Sequence, residues 1–454
     1  MADKVFEFID SNKSRFLDEL QTLLKIPSVS ADSKYKADVI GCAKWLVNHL
    51  AGLGFEAQLV ETKGHPIVRA LRKGISGKRL IIYGHYDVQP PDPIDKWQTP
   101  PFSPSIRDGN IYARGATDDK GQLFAHLKAV ESLIKMNGKL PCDILFVIEG
   151  EEECGGHALE DYIKKEKKNL ACDAIVISDT SMYDENTPAI TYGLRGIVAM
   201  EMTVKTAASD LHSGSFGGAT ANANTAMAHI ISQCIGLDGR IKIDGFYDDV
   251  RQPDDWEKKN FEKLAISEKT FLKETGAKRI FGEPGRTILE RLWARPALDI
   301  NGMVGGYIGE GMKTIIPFKA TAKITIRVVP DQNPIKLADK VAKYIKKVCP
   351  DFADVEVAGP LSAAEPVLFD VNDKMIQAGK QALKMGFGVE AVFIRAGGSI
   401  PVVNTFCGEL KKPAILMGFG LDSDGAHSTN EKFKIESFYR GIKTSVSFQT
   451  IVGS

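Results

Sequence analysis

Residues 80–90 read LIIYGHYDVQP. Leu80, Ile81, Ile82 and Tyr83 form a short apolar run that stops at Gly84, the pattern of a buried strand with an abrupt end. His85 and Asp87 follow, two positions apart, and in an extended segment such residues share a side. Asp87 can therefore hold one imidazole nitrogen of His85 and leave the other for a metal ion, the usual orientation of a metal-bound histidine. Val88, Pro90 and Pro91 stiffen the exit. Taken alone, the stretch reads more simply as a loop histidine beside an incidental aspartate.

The surrounding chain changes that balance. Apolar spacing predicts one or two helices over 5–24 and an amphipathic helix over 37–53, closed by Gly54. Strands are predicted over 55–60, 67–71, 111–113, 144–148 and 174–177, with a helix over 123–136. Strands alternating with helices imply an α/β sheet covered on both faces, and such sheets bind ligands beyond the carboxyl ends of their strands. Those ends carry His85, Asp118, Glu152, Glu153 and Asp179. After Gly196 the pattern changes to half-exposed strands over 197–204 and 321–328, helices over 222–235 and 335–348, and a charged, loop-rich stretch over 244–281. This reads as an α+β insert built on an open antiparallel sheet. From about Pro366 the buried pattern returns, with strands over 392–394 and 415–417 and a last helix after Lys434. The expected division is thus 1–194 with 360–454, interrupted by 195–359.

Composition excludes several classes. The chain has 454 residues, 43% hydrophobic and 26% charged, with 58 basic and 58 acidic side chains. This is the make-up of a globular protein of two domains. A zero formal charge argues against nucleic acid or an anionic membrane as partner. No apolar run approaches the ~20 residues that span a bilayer, and the charged N-terminus does not read as an export signal. Seven scattered cysteines form neither a disulfide framework nor a CxxC metal site, so a reducing cytoplasm is expected. Cys154 is read as a packed thiol, and Cys42, Cys142, Cys172, Cys234, Cys349 and Cys407 as small core or helix residues.

The strand-exit residues, together with His427, form one chemical set. Histidines plus carboxylates without thiolates suit zinc, manganese or cobalt. Two histidines and three carboxylates exceed one tetrahedral zinc and fit two ions sharing a carboxylate, roughly 3.5–4 Å apart. The adjacent Glu152 and Glu153 point different ways in an extended loop, so one can ligate while the other stays free as a base. A run of three glutamates is more often a solvated charge run, but this one directly follows the buried strand DILFVI.

Five motifs now stand in order: GHYDVQP (84–90), RGATDDKG (114–121), EGEEECGG (149–156), ISD (177–179) and AHSTNE (426–431). Over nearly its whole length the chain resembles the metallopeptidase family of carboxypeptidase G, aminoacylase and the acetylornithine and succinyl-diaminopimelate deacylases. ITYGLRGI (190–197), DLHSGSFGG (210–218), IRVVPDQ (326–332) and GGSIPV (397–402) are most similar to its cytosolic nonspecific dipeptidase and carnosinase branch. The resemblance implies a mixed-sheet α/β catalytic domain of the zinc-peptidase, phosphorylase/hydrolase-like type, interrupted by an α+β lid and dimerisation domain. It implies two divalent ions, zinc foremost with manganese or cobalt as alternatives. His85 and Asp179 would bind one and Glu153 and His427 the other, with Asp118 bridging them and the Asp118–Asp119 peptide cis. Glu152 would be the general base and acid, and Asp87 would orient His85. His212 would polarise the substrate carbonyl from the partner subunit of a homodimer. Arg327, Gly398 and Ser399 would grip the substrate carboxylate, and Asn301 would line the lid side.

The implied activity is hydrolysis of dipeptides or short peptides with a free C-terminal carboxylate. The alternatives are an N-acyl-amino-acid or succinyl-diaminopimelate-type deacylase and, from another class, an inactive metal-binding scaffold. The free base Glu152 weighs against the scaffold. Three departures leave the substrate open. Ala396 precedes GGSIP where carnosine-cleaving relatives carry glutamate. Gly155 and Gly156 replace a Gly-Ser pair, with His157 expected to start a helix. The stretch PLSAAEP (360–366) lacks a histidine-containing, Gly-rich segment.

Overall fold

A computed structural model describes residues 2–454 of the chain. It has the expected mixed α/β architecture and divides into two compact units. The first comprises 1–192, 369–394 and 405–454, and the second 193–368 and 395–404. The boundary expected at 359/360 falls inside the strand Asp354–Ala364, whose pairing continues past Gly359 to Ala364. Residues 395–404 also group with the second unit, which the local pattern did not indicate.

The sheet of the first unit runs in the order Glu56–Val60, Ile67–Arg72, Asp143–Glu149, Arg79–His85, Ala174–Ile177, Ala414–Leu416 and Ala189–Leu194. Four neighbours in the middle are parallel: Asp143–Glu149, Arg79–His85, Ala174–Ile177 and Ala414–Leu416. The central strand is continuously apolar because both its faces are covered. It runs one residue past the expected stop, so His85 is its last residue rather than a loop residue. Each large side chain buried there stabilises by about 1.5–3 kcal/mol relative to exposure. Parallel pairing puts the carboxyl ends of these strands on one edge, and the loops after His85, Glu149 and Ile177 therefore leave together.

Helices Lys36–Gly52, Lys120–Asn137, Lys374–Phe387 and Ile435–Gly453 contribute to the core of this unit. Lys120–Asn137 is buried even at Lys120, His126, Lys128 and Glu131. The Lys120 ammonium donates to the carbonyls of Ile26 at 2.7 Å and Leu23 at 3.5 Å. Lys128 pairs with Glu19 and Glu131. Such burial of paired charge is invisible to hydrophobic periodicity, which placed this helix three residues short at its start.

In the second unit, Ala297–Gly305, Lys319–Val328, Gly196–Lys205 and Asp354–Ala364 form an antiparallel sheet in that order. Alternate residues of Gly196–Lys205 are buried and share a core with Ala223–Cys234 and Pro334–Val348. Asn222 and Asn333 cap those two helices through their side-chain oxygens. The stretch expected to be loop-rich contains the helices Asp255–Lys263 and Glu268–Thr275. The first has a capping box of Asp254 and Glu257, a spacing legible in sequence but masked by the surrounding charge.

Candidate metal centre

The edge where the parallel strands end collects seven of the sequence-derived residues. Asp118 lies between two histidines. Its Oδ1 is 3.0 Å from Nε2 of His85 and its Oδ2 is 3.0 Å from Nε2 of His427. His427 Nε2 is also 3.3 Å from Glu153 Oε2. Among the described residues, potential ligand atoms gather as His85, Asp118 and Asp179, as Asp118, Glu153 and His427, and as His85, Glu152 and Glu153. Asp118 is common to the first two groups. The Asp118–Asp119 peptide is cis.

The local reasons differ for each residue. His85 ends the central strand. Asp118 precedes Asp119, the residue before helix Lys120–Asn137. Glu152 and Glu153 lie in a tight 3₁₀ turn, Glu152–Cys154, rather than the extended loop expected. His427 lies within a turn closed by Ser428 N–H donating to Gly425 O at 2.9 Å, and its φ of 61° is left-handed, a region few non-glycine residues adopt.

Asp87 acts differently from the simple expectation. The contact nearest to His85 Nδ1 is the backbone carbonyl of Asp87, at 3.0 Å, while its carboxylate Oδ1 is 3.4 Å away. The other oxygen, Oδ2, accepts from Ser30 Oγ at 2.7 Å and from the Glu153 N–H at 3.0 Å. Ser30 gave no sequence signal. Gln89, inside the GHYDVQP motif, donates to Glu153 Oε2 at 2.7 Å and was overlooked there.

The electrostatics follow from crowding. Burial, then the charge of Asp118, raises Asp179 to about 7 and Glu153 to about 8. Burial also raises Glu152. Burial disfavours the charge of Asp118 too, but hydrogen bonds from His427 and His85 hold it below the usual carboxylate range. The Asp118 hydrogen bond raises His427 to about 9. Four carboxylates thus converge with only two imidazoles to offset them. Such a donor set of oxygen and nitrogen atoms fits divalent cations, which favour the charged carboxylates and neutral imidazoles.

The second unit holds the other expected residues. Arg327 donates to Ser399 Oγ at 3.1 Å, and Ser399 donates to the Arg195 carbonyl at 2.5 Å. Arg195 Nε donates to the Gly397 carbonyl at 2.9 Å. Burial, then the charge of Arg327, lowers Arg195 to about 10. Both guanidiniums are therefore bonded here to neutral acceptors. Arg195 belongs to ITYGLRGI (190–197), where the sequence alone gives it no role. Gly398 is exposed, and Asn301 is exposed at the register shift between Ile300 and Gly302. His212 is exposed and accepts from Gly214 N–H at 3.0 Å through Nδ1.

The remaining residues are structural. His157 precedes helix Ala158–Glu166 as expected. All seven cysteines are free; Cys154 is exposed rather than packed, Cys42, Cys142, Cys172 and Cys234 are buried, and half-buried Cys407 lies in the helix Pro401–Leu410. Among the described residues no helix is long and apolar enough to cross a membrane.

The pattern of peptidase family M20/M25/M40 matches residues 81–449, and the chain belongs to that family of metal-dependent hydrolases. Its relatives include the Cys-Gly metallodipeptidase of Schizosaccharomyces pombe, 33% identical over 461 residues, covering 97% of this chain and 96% of the relative. The human Beta-Ala-His dipeptidase is 30% identical and covers 99% of this chain and 92% of its own. The solved metallo-carboxypeptidase Sso-CP2 of Sulfolobus solfataricus has a TM-score of 0.86 at 34% identity, covering 96% of this chain and 99% of that one. The expected dipeptidase branch is thus represented among these relatives.

Proposed function

We propose that the protein hydrolyses dipeptides and other short peptides that end in a free carboxylate, using two divalent ions. The observation that carries this reading is the placement of Asp118, one carboxylate oxygen toward His85 and the other toward His427, beside the adjacent Glu152 and Glu153. His85 and Asp179 would hold one ion, Glu153 and His427 the other, and Asp118 both. The ions, zinc foremost and manganese or cobalt otherwise, supply Lewis acidity toward water and the scissile carbonyl.

Glu152 removes a proton from the attacking water and returns it to the leaving amine. Burial raises its carboxyl above the ordinary carboxylate value, the direction that favours a group which must take up a proton and give it back. Asp87, through its backbone carbonyl, fixes the tautomer and aim of His85. Arg327 binds the substrate carboxylate, with Gly398 and Ser399 beside it and Asn301 on the lid side. The named activities of the relatives, dipeptidase and carboxypeptidase, share the requirement for a residue with a free α-carboxylate, which supports this assignment.

We also place the enzyme in a reducing cytoplasm, in keeping with seven free cysteines. It acts as a homodimer through the second unit, with His212 of one subunit serving the oxyanion in the other. The exposed Met303, Val304 and Ile308, on and just beyond the edge strand Ala297–Gly305, favour such pairing. The test is a panel of free, C-terminally amidated and N-acetylated substrates, assayed with zinc, manganese and cobalt. Turnover of free dipeptides is expected. Preferential turnover of N-acetyl amino acids would replace the dipeptidase reading with a deacylase.

A further inference from the structure

Glu431 is fully buried, and its carboxylate is spent on the loop that carries Asp118. Oε2 accepts from Arg114 Nη1 at 2.9 Å and from the Gly115 N–H at 2.9 Å. Oε1 accepts from the Thr117 N–H at 2.9 Å and from the N–H of Asp118 itself at 3.1 Å. The backbone carbonyl of Glu431 takes a further bond from the Ala113 N–H at 3.1 Å. Arg114, also buried, extends the contact by donating from Nη2 to the Pro90 carbonyl at 3.2 Å. Pro90 lies on the segment that leaves His85 and Asp87, and Glu431 lies four residues beyond His427. The loops bearing His85, Asp118 and His427 therefore meet at one buried Glu431–Arg114 pair.

We propose that Glu431 is a positioning residue that sets the bridging carboxylate of Asp118 between the two histidines, and so tunes both metal positions at once. The inference rests on the two-metal reading above. A carboxylate is suited to this place because its two oxygens can accept four bonds. Burying its charge is costly unless every lone pair is used, and here the four donors and the Arg114 charge meet that condition. The clamp fixes backbone N–H groups, so it controls where the Asp118 main chain lies. A shift there moves Asp118 relative to His85 and His427 together, whereas disturbing a support of His85 alone moves one position.

Glu431→Gln tests this. An amide has one oxygen acceptor and two donors, so whichever way it turns, donors on the loop face a group that cannot accept. Metal-free wild type and variant are titrated with Co²⁺ by visible absorption and with Zn²⁺ by calorimetry. Wild type is expected to take two equivalents. The variant is expected to lose roughly 10–100-fold in affinity for both, the range seen when outer supports of metal ligands are removed. Leu46→Ala, in the core beneath the sheet, is the control, expected to lower the melting temperature while leaving both affinities unchanged. Native affinities in Glu431→Gln would overturn the inference alone. Fewer than two ions in wild type would overturn the two-metal reading and this inference with it. Should Glu431→Gln fail to fold, Arg114→Lys carries the test. It keeps the charge but loses the fork that joins Glu431 to Pro90, and a loss of roughly tenfold is expected. Unchanged affinity there overturns the inference as well.

Discussion

The Asp87 carboxylate accepts the backbone N–H of Glu153 at 3.0 Å while its other oxygen lies 3.4 Å from Nδ1 of His85. One side chain thus links the strand end that presents His85 to the turn that presents the glutamate pair. Asp87→Asn replaces one acceptor by a donor and is expected to weaken metal binding by roughly 10–100-fold. Cobalt titration of the metal-free protein measures it. Unchanged affinity would mean that the Asp87 carbonyl, 3.0 Å from the ring, suffices to orient His85.

Glu152→Gln is expected to keep the fold and both ions but to lose most activity, by ~10²–10⁴-fold, the usual share of general acid–base catalysis. Elemental analysis and steady-state kinetics read the two effects separately. Loss of an ion would reverse the roles assigned to Glu152 and Glu153.

Arg327→Ala is expected to lower kcat/KM for free dipeptides far more than for amidated ones. A charge-assisted bond to a carboxylate contributes about 1.5–3 kcal/mol, or roughly tenfold and more. Equal losses on both substrates would reduce Arg327 to a support of Ser399.

His126 offers a pH test of stability. It is buried between Ser178 and Ser445, each at 2.8 Å. Ser178 donates to the Met417 carbonyl, so its oxygen accepts from Nε2–H of a neutral ring. Burial lowers this histidine to about 3, whereas the unfolded chain protonates it near the ordinary 6.5. Between those values the unfolded state binds a proton that the fold refuses, and stability falls with pH by up to about 1.4 kcal/mol per unit. The contribution is fully present above pH 6.5. Thermal melts of EDTA-treated protein at pH 6.5 to 4 should show a shallower fall for His126→Gln than for wild type. Parallel curves would mean that this ring is protonated within the fold.

Subunit exchange between Glu152→Ala and His212→Ala tests the shared site. If His212 acts in the partner, half of the dimers are mixed and one of their two sites is intact, so about a quarter of wild-type activity returns on symmetry grounds. No recovery despite proven exchange, or a monomer by sedimentation, would remove His212 from the partner's chemistry.

By itself the sequence determined the sheet class and singled out the candidate ligands. Strand exits are legible because an apolar run that stops abruptly is a local pattern, and His85, Glu153 and Asp179 stand within a few residues of the ends of such runs. The five ordered motifs then named the family. Only the tertiary structure decided the supports. Ser30 reaches Asp87 across 57 positions, and Arg114 reaches Glu431 across 317. A buried carboxylate is indistinguishable in sequence from a solvated one, because what makes it tolerable is the set of donors that distant segments bring to it. The turn of Glu152–Cys154, the nearer role of the Asp87 carbonyl and the placement of 395–404 with the second unit have the same cause. Each depends on packing between segments remote in the chain, and periodicity reports only which faces a segment offers, never what it meets.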